Sequence, residues 1–189
     1  MSTVEIRPLE PARLADYLRF FDTRAFTDNP RWAGCYCYFP YNDHAASHWH
    51  QRSGDENRTA MSSCIASGRA RGYMAYRDGE VVGWCNAAPW TSYPMLDDEP
   101  EPNAAAIGVI FCFVVAPEHR GQGIARALLD AACDGLKSQG LSYAQARPRK
   151  QADSAAENHL GPLSMYLAAG FSILREDDQG NVYVQKRLA

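Results

Sequence analysis

Two glycines one residue apart, Gly121 and Gly123, stand between an apolar run that ends at Pro117 and a periodic stretch that begins at Ile124. Glycines at a strand-to-helix junction adopt backbone conformations that other residues resist, and they let a ligand come close to the main chain. The first amides of a helix have no partner within it, so they form an anion site that the helix dipole reinforces. Arg120 and Arg126 add positive charge beside Gly121, Gln122, Gly123, Ile124 and Ala125. A pyrophosphate suits such a cradle, although a tight turn without a ligand satisfies a bare Gly-x-Gly as well. Two nucleotide motifs are excluded: no Gly-Lys-Ser/Thr follows the glycines, and no third glycine stands at dinucleotide spacing.

A second group of chemistry-bearing residues is Trp32-Ala33-Gly34-Cys35-Tyr36-Cys37-Tyr38-Phe39-Pro40-Tyr41, followed by His44, His48 and His50. Cys-x-Cys is not the usual zinc spacing and no second paired-cysteine motif follows, so no metal is expected. The segment reads either as an aromatic wall over an acceptor site, with Trp84, Asn86 and Trp90 lining the same pocket, or as a loop packed under its own aromatics. The acids Asp97, Asp98, Glu99 and Glu101 read as solvated charge or as an attraction for a cationic acceptor.

The elements that must position these residues follow from periodicity. Val4 and Ile6 alternate with polar residues in a strand over 3–8, and Pro11 opens a helix marked by Leu14, Leu18 and Phe21. A second helix is predicted over 56–67, with Met61, Cys64 and Ile65 on one face and Gly68 as its stop. Strands over 71–76 and 81–86 flank Asp78-Gly79, a hairpin turn signal. Residues 88–103 are expected to form a long loop. The unbroken apolar run over 107–115 predicts a central strand buried on both faces. Ile124, Leu128, Ala131, Ala132 and Leu136 mark a helix over 124–138, which Gly140 ends. A strand over 141–146 follows, then a short helix between Gly161-Pro162 and Gly170, and a strand pair over 171–174 and 182–187. The order predicts one α/β domain over residues 1–189, a mixed sheet flanked by helices.

The stretch Val115-Ala116-Pro117-Glu118-His119-Arg120-Gly121-Gln122-Gly123-Ile124-Ala125-Arg126-Ala127-Leu128-Leu129 resembles the acetyl-CoA signature of the GNAT superfamily of N-acetyltransferases, Arg/Gln-x-x-Gly-x-Gly/Ala, which Arg120, Gly123 and Ala125 fill. Met165-Tyr166-Leu167-Ala168-Ala169-Gly170-Phe171 is similar to a later motif of that family, Leu-Tyr-x-x-x-Gly-Phe. The resemblance spans roughly residues 71–188. It implies a mostly antiparallel sheet with splayed central strands and acetyl-CoA as acyl donor. It also implies that Phe113, Val114 and Val115 offer backbone to the pantetheine arm, while residues 121–126 hold the pyrophosphate. Tyr166 aligns with the tyrosine that protonates the leaving thiolate in many members, a role within reach of a phenol of pKa ~10; a core tyrosine is the alternative. Where the family places an asparagine on the cofactor this chain has His159, so that contact, a proton relay and a solvent-facing ring all stay open. The central strand carries no acid, which leaves Glu157, Asp153 or water as general base.

These features imply transfer of an acetyl group to an amine of a small molecule or peptide. A catalytically weak acyl-CoA sensor of the same fold is the alternative. A net charge of −3 lacks the positive field of a nucleic-acid binder. The N-terminus lacks a signal-peptide pattern and no apolar run approaches ~20 residues, so a cytoplasmic protein with no membrane association is expected. The six cysteines are expected as free thiols. Dimers are common in the resembled family, and the sequence leaves a homodimer open.

Overall fold

The computed structural model describes residues 3–99, 101–150 and 157–188. Strand β1 (Glu5–Pro8) leads through a 3-10 turn at Pro11–Arg13 into helix α1 (Leu14–Thr23). Three 3-10 turns, Pro30–Cys35, Phe39–Tyr41 and Trp49–Gln51, carry the chain to α2 (Gly54–Ala66). That helix starts earlier than its apolar face predicts because Ser53 and Glu56 form a reciprocal capping box. Strands β2 (Gly72–Arg77) and β3 (Glu80–Pro89) form the expected hairpin. Asp78 and Gly79 both have positive φ, 52° and 82°, the twist that a two-residue hairpin turn requires. β3 runs past its predicted end because Ala87 and Ala88 keep pairing, opposite Ile110 and Val109.

Strand β4 (Ile107–Val115) and helix α3 (Ile124–Ser138) occupy their predicted ranges. β5 (Tyr143–Ala146), α4 (Leu163–Ala168), β6 (Ser172–Glu176) and β7 (Val182–Arg187) complete the chain. The strands of the described residues form one sheet in the order β1-β2-β3-β4-β5-β7-β6, in which β4 and β5 run parallel and the other neighbours antiparallel. A core of Tyr17, Phe20, Met61, Trp84 and Phe111 lies under α1 and α2. A second core of Ile110, Phe113, Leu128, Leu136 and Tyr166 lies under α3 and α4.

Trp84 and Asn86 have no exposed surface, so of the two readings of these residues they follow the packed one. The Trp84 ring meets Tyr17 edge-on at 5.0 Å, and Trp90 lies beneath the Arg147 guanidinium. Cys37 and Tyr41 are likewise buried, because β3 and β4 need an apolar cover on the α1 side. No helix among the described residues is long and apolar enough to cross a membrane.

Candidate active site

Two irregularities of β4 make the site. The parallel pairing with β5 runs only from Ile107 to Ile110, so from Phe111 onward this side of β4 has no strand beside it among the described residues. At the same place the antiparallel pairing with β3 slips. Asn86 lies opposite Cys112 and Ala87 opposite Ile110, which leaves Phe111 as the extra residue of a β-bulge.

Alternation decides which main-chain groups face the opening. The Ala116 amide donates to Val82 O at 3.0 Å, so Ala116 bonds toward β3. The register from Gly83↔Val115 to Asn86↔Cys112 is regular. Val114 and Cys112 therefore also bond toward β3, while Phe113 and Val115 turn their amides and carbonyls to the open side. The sheet thus takes up the Val114 backbone and leaves Phe113 and Val115 available. Val115 O already accepts from Arg120 Nε at 3.1 Å.

β4 runs through a 3-10 turn at Pro117–His119 into the glycine pair. Gly121 and Gly123 have φ of 72° and 79°, and a Cβ built on either meets nothing within 4 Å. Gly121, Gln122 and Gly123 are exposed. α3 begins with no side-chain cap, and among the described residues the amides from Gly121 to Arg126 have no hydrogen-bond partner. This corner therefore presents open, unpartnered donors in a backbone shape that glycine adopts without strain, which fits a diphosphate.

Both flanking arginines have carboxylate partners. Arg120 forms a two-pronged ion pair with Asp28, and Arg126 pairs with Asp130 one turn along α3 at 2.9 Å. Other groups brace the loop from behind. Arg24 donates to Glu118 at 2.8 Å, and Arg77 bonds to Gln122. The Gln122 side chain thus faces away from the amides that its own backbone contributes.

Across the opening, a 3-10 turn at Glu157–Leu160 and helix α4 bring His159 and Tyr166 to the site. The Tyr166 ring meets Phe113 edge-on at 6.3 Å and Phe171 at 5.1 Å. Its hydroxyl donates to Leu160 O at 2.8 Å, and the residue has no exposed surface. Burial pushes the phenol well above its usual pKa of 10, which keeps it protonated at neutral pH. Gly161, at φ 84°, makes this packing possible, since a Cβ there would stand 2.9 Å from the Tyr166 ring and 3.2 Å from Phe113. His159 packs against Trp32 at 4.7 Å, so the aromatic segment reaches the opening through Trp32. Sequence reasoning placed that wall on the whole segment; periodicity gives no signal that singles out Trp32. Asp153 and the Glu157 side chain lie outside the described residues. Among the described residues, no group of three His, Cys, Asp or Glu is placed to hold a metal ion.

The description "Acetyltransferase (GNAT) family" matches residues 12–161. The chain belongs to the GNAT acetyltransferase family. It is an acyltransferase, and acetyl-CoA is the family's acyl donor. None of the curated proteins matches the sequence. Among solved structures, an N-acetyltransferase from Staphylococcus aureus Mu50 superposes with a TM-score of 0.62 at 16% identity, over 100% of both chains. A putative acetyltransferase from Salmonella typhimurium, solved with its cofactor acetyl-CoA, gives 0.59 at 16% identity, over 98% of this chain and 94% of that one. The ribosomal-protein-S18-alanine N-acetyltransferase from Escherichia coli gives 0.54 at 15% identity, over 99% and 95%. At such identities these likenesses speak for the fold, and the GNAT fold is the one described above.

Proposed function

We propose that this GNAT chain, as a single domain, moves an acetyl group from acetyl-CoA to a primary amine that attacks the thioester directly. The observation that carries the reading is the continuity of two open main-chain surfaces, the free side of β4 and the unpartnered amides of residues 121–126. An extended arm paired with β4 would lead straight into a diphosphate at the start of α3, and strand-like pairing is a common way to hold an extended ligand. In this reading Phe113 and Val115 pair with pantetheine. Gly121, Gln122, Gly123, Ile124, Ala125 and Arg126 donate their amides to the pyrophosphate. Arg120 orients the loop through Asp28 and Val115, and Val114 acts only through the sheet.

Holding donor and amine in one cleft supplies much of the rate, because it removes the entropy cost of bringing them together. Tyr166 holds the proton for the departing thiolate. Its hydroxyl donates to Leu160 O and has no exposed surface, so it must exchange that acceptor for the sulfur as the ligand enters along β4. A phenol above 10 is a weak acid toward a thiolate near ~8.5, but the burial that raises one raises the other. His159 and Trp32 flank the entrance, where they contact the arm or the acceptor. A peptide amine stands beside small amines as acceptor, in line with the activity named for the E. coli neighbour.

Calorimetric titration with acetyl-CoA is expected to give saturable binding. Incubation with a panel of small amines and peptides is then expected to release CoA thiol. No heat at millimolar acetyl-CoA would overturn the reading. Binding without thiol release on any amine would leave a CoA sensor instead.

A further inference from the structure

We propose that Asn86 is a positioning residue for the acyl group, because it locks the β4 bulge that aims the Phe113 amide into the cleft. The inference rests on the transfer reading above. Asn86 sits in the middle of β3 with no exposed surface, between the buried apolar residues Cys85 and Ala87. A polar side chain in such a place costs free energy unless its hydrogen bonds are made. Here they are made, by the Cys37–Tyr41 segment, distant in sequence, and by Tyr93, seven residues along the chain. Tyr41 and Tyr93 both donate to Asn86 Oδ1, at 3.0 and 2.9 Å. Asn86 Nδ2 donates to Cys37 O at 3.4 Å. The two phenols extend the network, since Tyr41 Oη accepts from the Arg71 amide at 3.2 Å and Tyr93 Oη lies 3.5 Å from Val109 O on β4 itself.

The place of this network in the sheet gives it a function. Asn86 is the last residue of β3 before the register breaks, and its cross-strand partner is Cys112. The extra residue, Phe111, is also the first of β4 beyond the β5 pairing. A one-residue insertion reverses which residues present their amides to a given side. The bulge therefore decides that Phe113, and not Cys112, faces the opening. A ladder bond alone does not hold a bulge in one register. The network supplies a fixed point, because Tyr93 Oη joins Asn86 Oδ1, at 2.9 Å, to Val109 O of β4 at 3.5 Å, just before the extra residue, and a slip of β4 against β3 would part the two. Asn86 contacts no substrate in this arrangement. It acts through β4 on the amide that would meet the thioester oxygen, where preorganised donors lower the barrier most.

The test uses Asn86→Ala and the milder Tyr93→Phe, which removes one donor while keeping the ring. Affinity for CoA, which lacks the acyl oxygen, is expected to stay near the native value. Turnover should fall roughly tenfold to hundredfold, up to the loss seen when an oxyanion donor is removed. The deciding readout is the carbonyl stretch of bound, isotope-labelled acetyl-CoA, which an amide donor shifts to lower frequency. In both variants it is expected to move back toward its value in water. A native carbonyl frequency in a folded variant overturns the inference, and Tyr93→Phe serves that purpose if Asn86→Ala does not fold. Failure of the native chain to bind CoA would instead bring down the transfer reading itself.

Discussion

The phenol of Tyr166 is a buried donor with one protein acceptor, and its replacement separates two roles. Tyr166→Phe keeps the ring between Phe113 and Phe171 and deletes the bond to Leu160 O. The stability loss should be about 1 kcal/mol, the usual net worth of such a bond. If the hydroxyl donates to the thiolate, kcat falls roughly 100-fold or more while acetyl-CoA affinity holds. Steady-state kinetics beside calorimetry checks this. Unchanged turnover returns Tyr166 to a purely structural role. The cysteines belong at the same scale. Cys37 and Cys85 have almost no exposed surface, and both thiols are held well above the usual range, Cys37 by its contact with the Cys112 thiol and by burial, Cys85 by burial. They behave as small hydrophobes, which matches the expected free thiols.

Between elements, α3 must lie close on β4 for its first amides to meet the end of the open edge. Two glycines set that distance. A Cβ at Gly108 of β4 would stand 2.5–2.9 Å from the side chain of Leu136 on α3, and a Cβ at Gly83 would stand 3.0 Å from Ile124 at the start of that helix. Gly108→Ala is therefore expected to destabilise by about 1–3 kcal/mol, a typical cost of overpacking. The melting temperature should fall by roughly 2–4 °C per kcal/mol for a chain of this size. Acetyl-CoA binding should weaken as α3 lifts. A variant that melts and binds like the native chain would show that α3 does not depend on this contact for its place.

At the scale of the whole molecule, the buried phenols and thiols tie stability to pH. Tyr17, Tyr41, Tyr93 and Tyr166 are raised by burial, as are Cys85 and Cys35, the last to about 12, and Cys37 is raised by the Cys112 thiol and by burial. A folded pKa above the unfolded one gives stability that is complete below the unfolded value. That stability is lost as pH climbs from there toward the folded value. With unfolded thiols near ~8.5 and phenols near ~10, the loss starts at about pH 8.5 and steepens above about pH 10. Urea midpoints at about pH 8 and about pH 10.5 check the sign: the alkaline midpoint should be clearly lower. Equal midpoints would mean that these groups titrate alike in both states.

Much of this was legible along the chain, for a physical reason. The hairpin at Asp78-Gly79, the buried strand over Ile107–Val115, the glycine pair and the stripe of α3 are each decided by neighbours within a few residues, where period and turn chemistry act. The capping box at Ser53 and Glu56 is equally local, although the apolar face of α2 by itself points to a later start. What tertiary structure alone decided is whatever depends on partners distant in sequence. Arg120 meets Asp28, 92 residues away. Trp84 and Asn86 sink into the core, and of the aromatic segment Trp32 is the ring that meets His159. The direction of Phe113 belongs to the same class. It follows from a one-residue slip between β3 and β4, and a register between strands is set by packing across the sheet, which no single strand encodes.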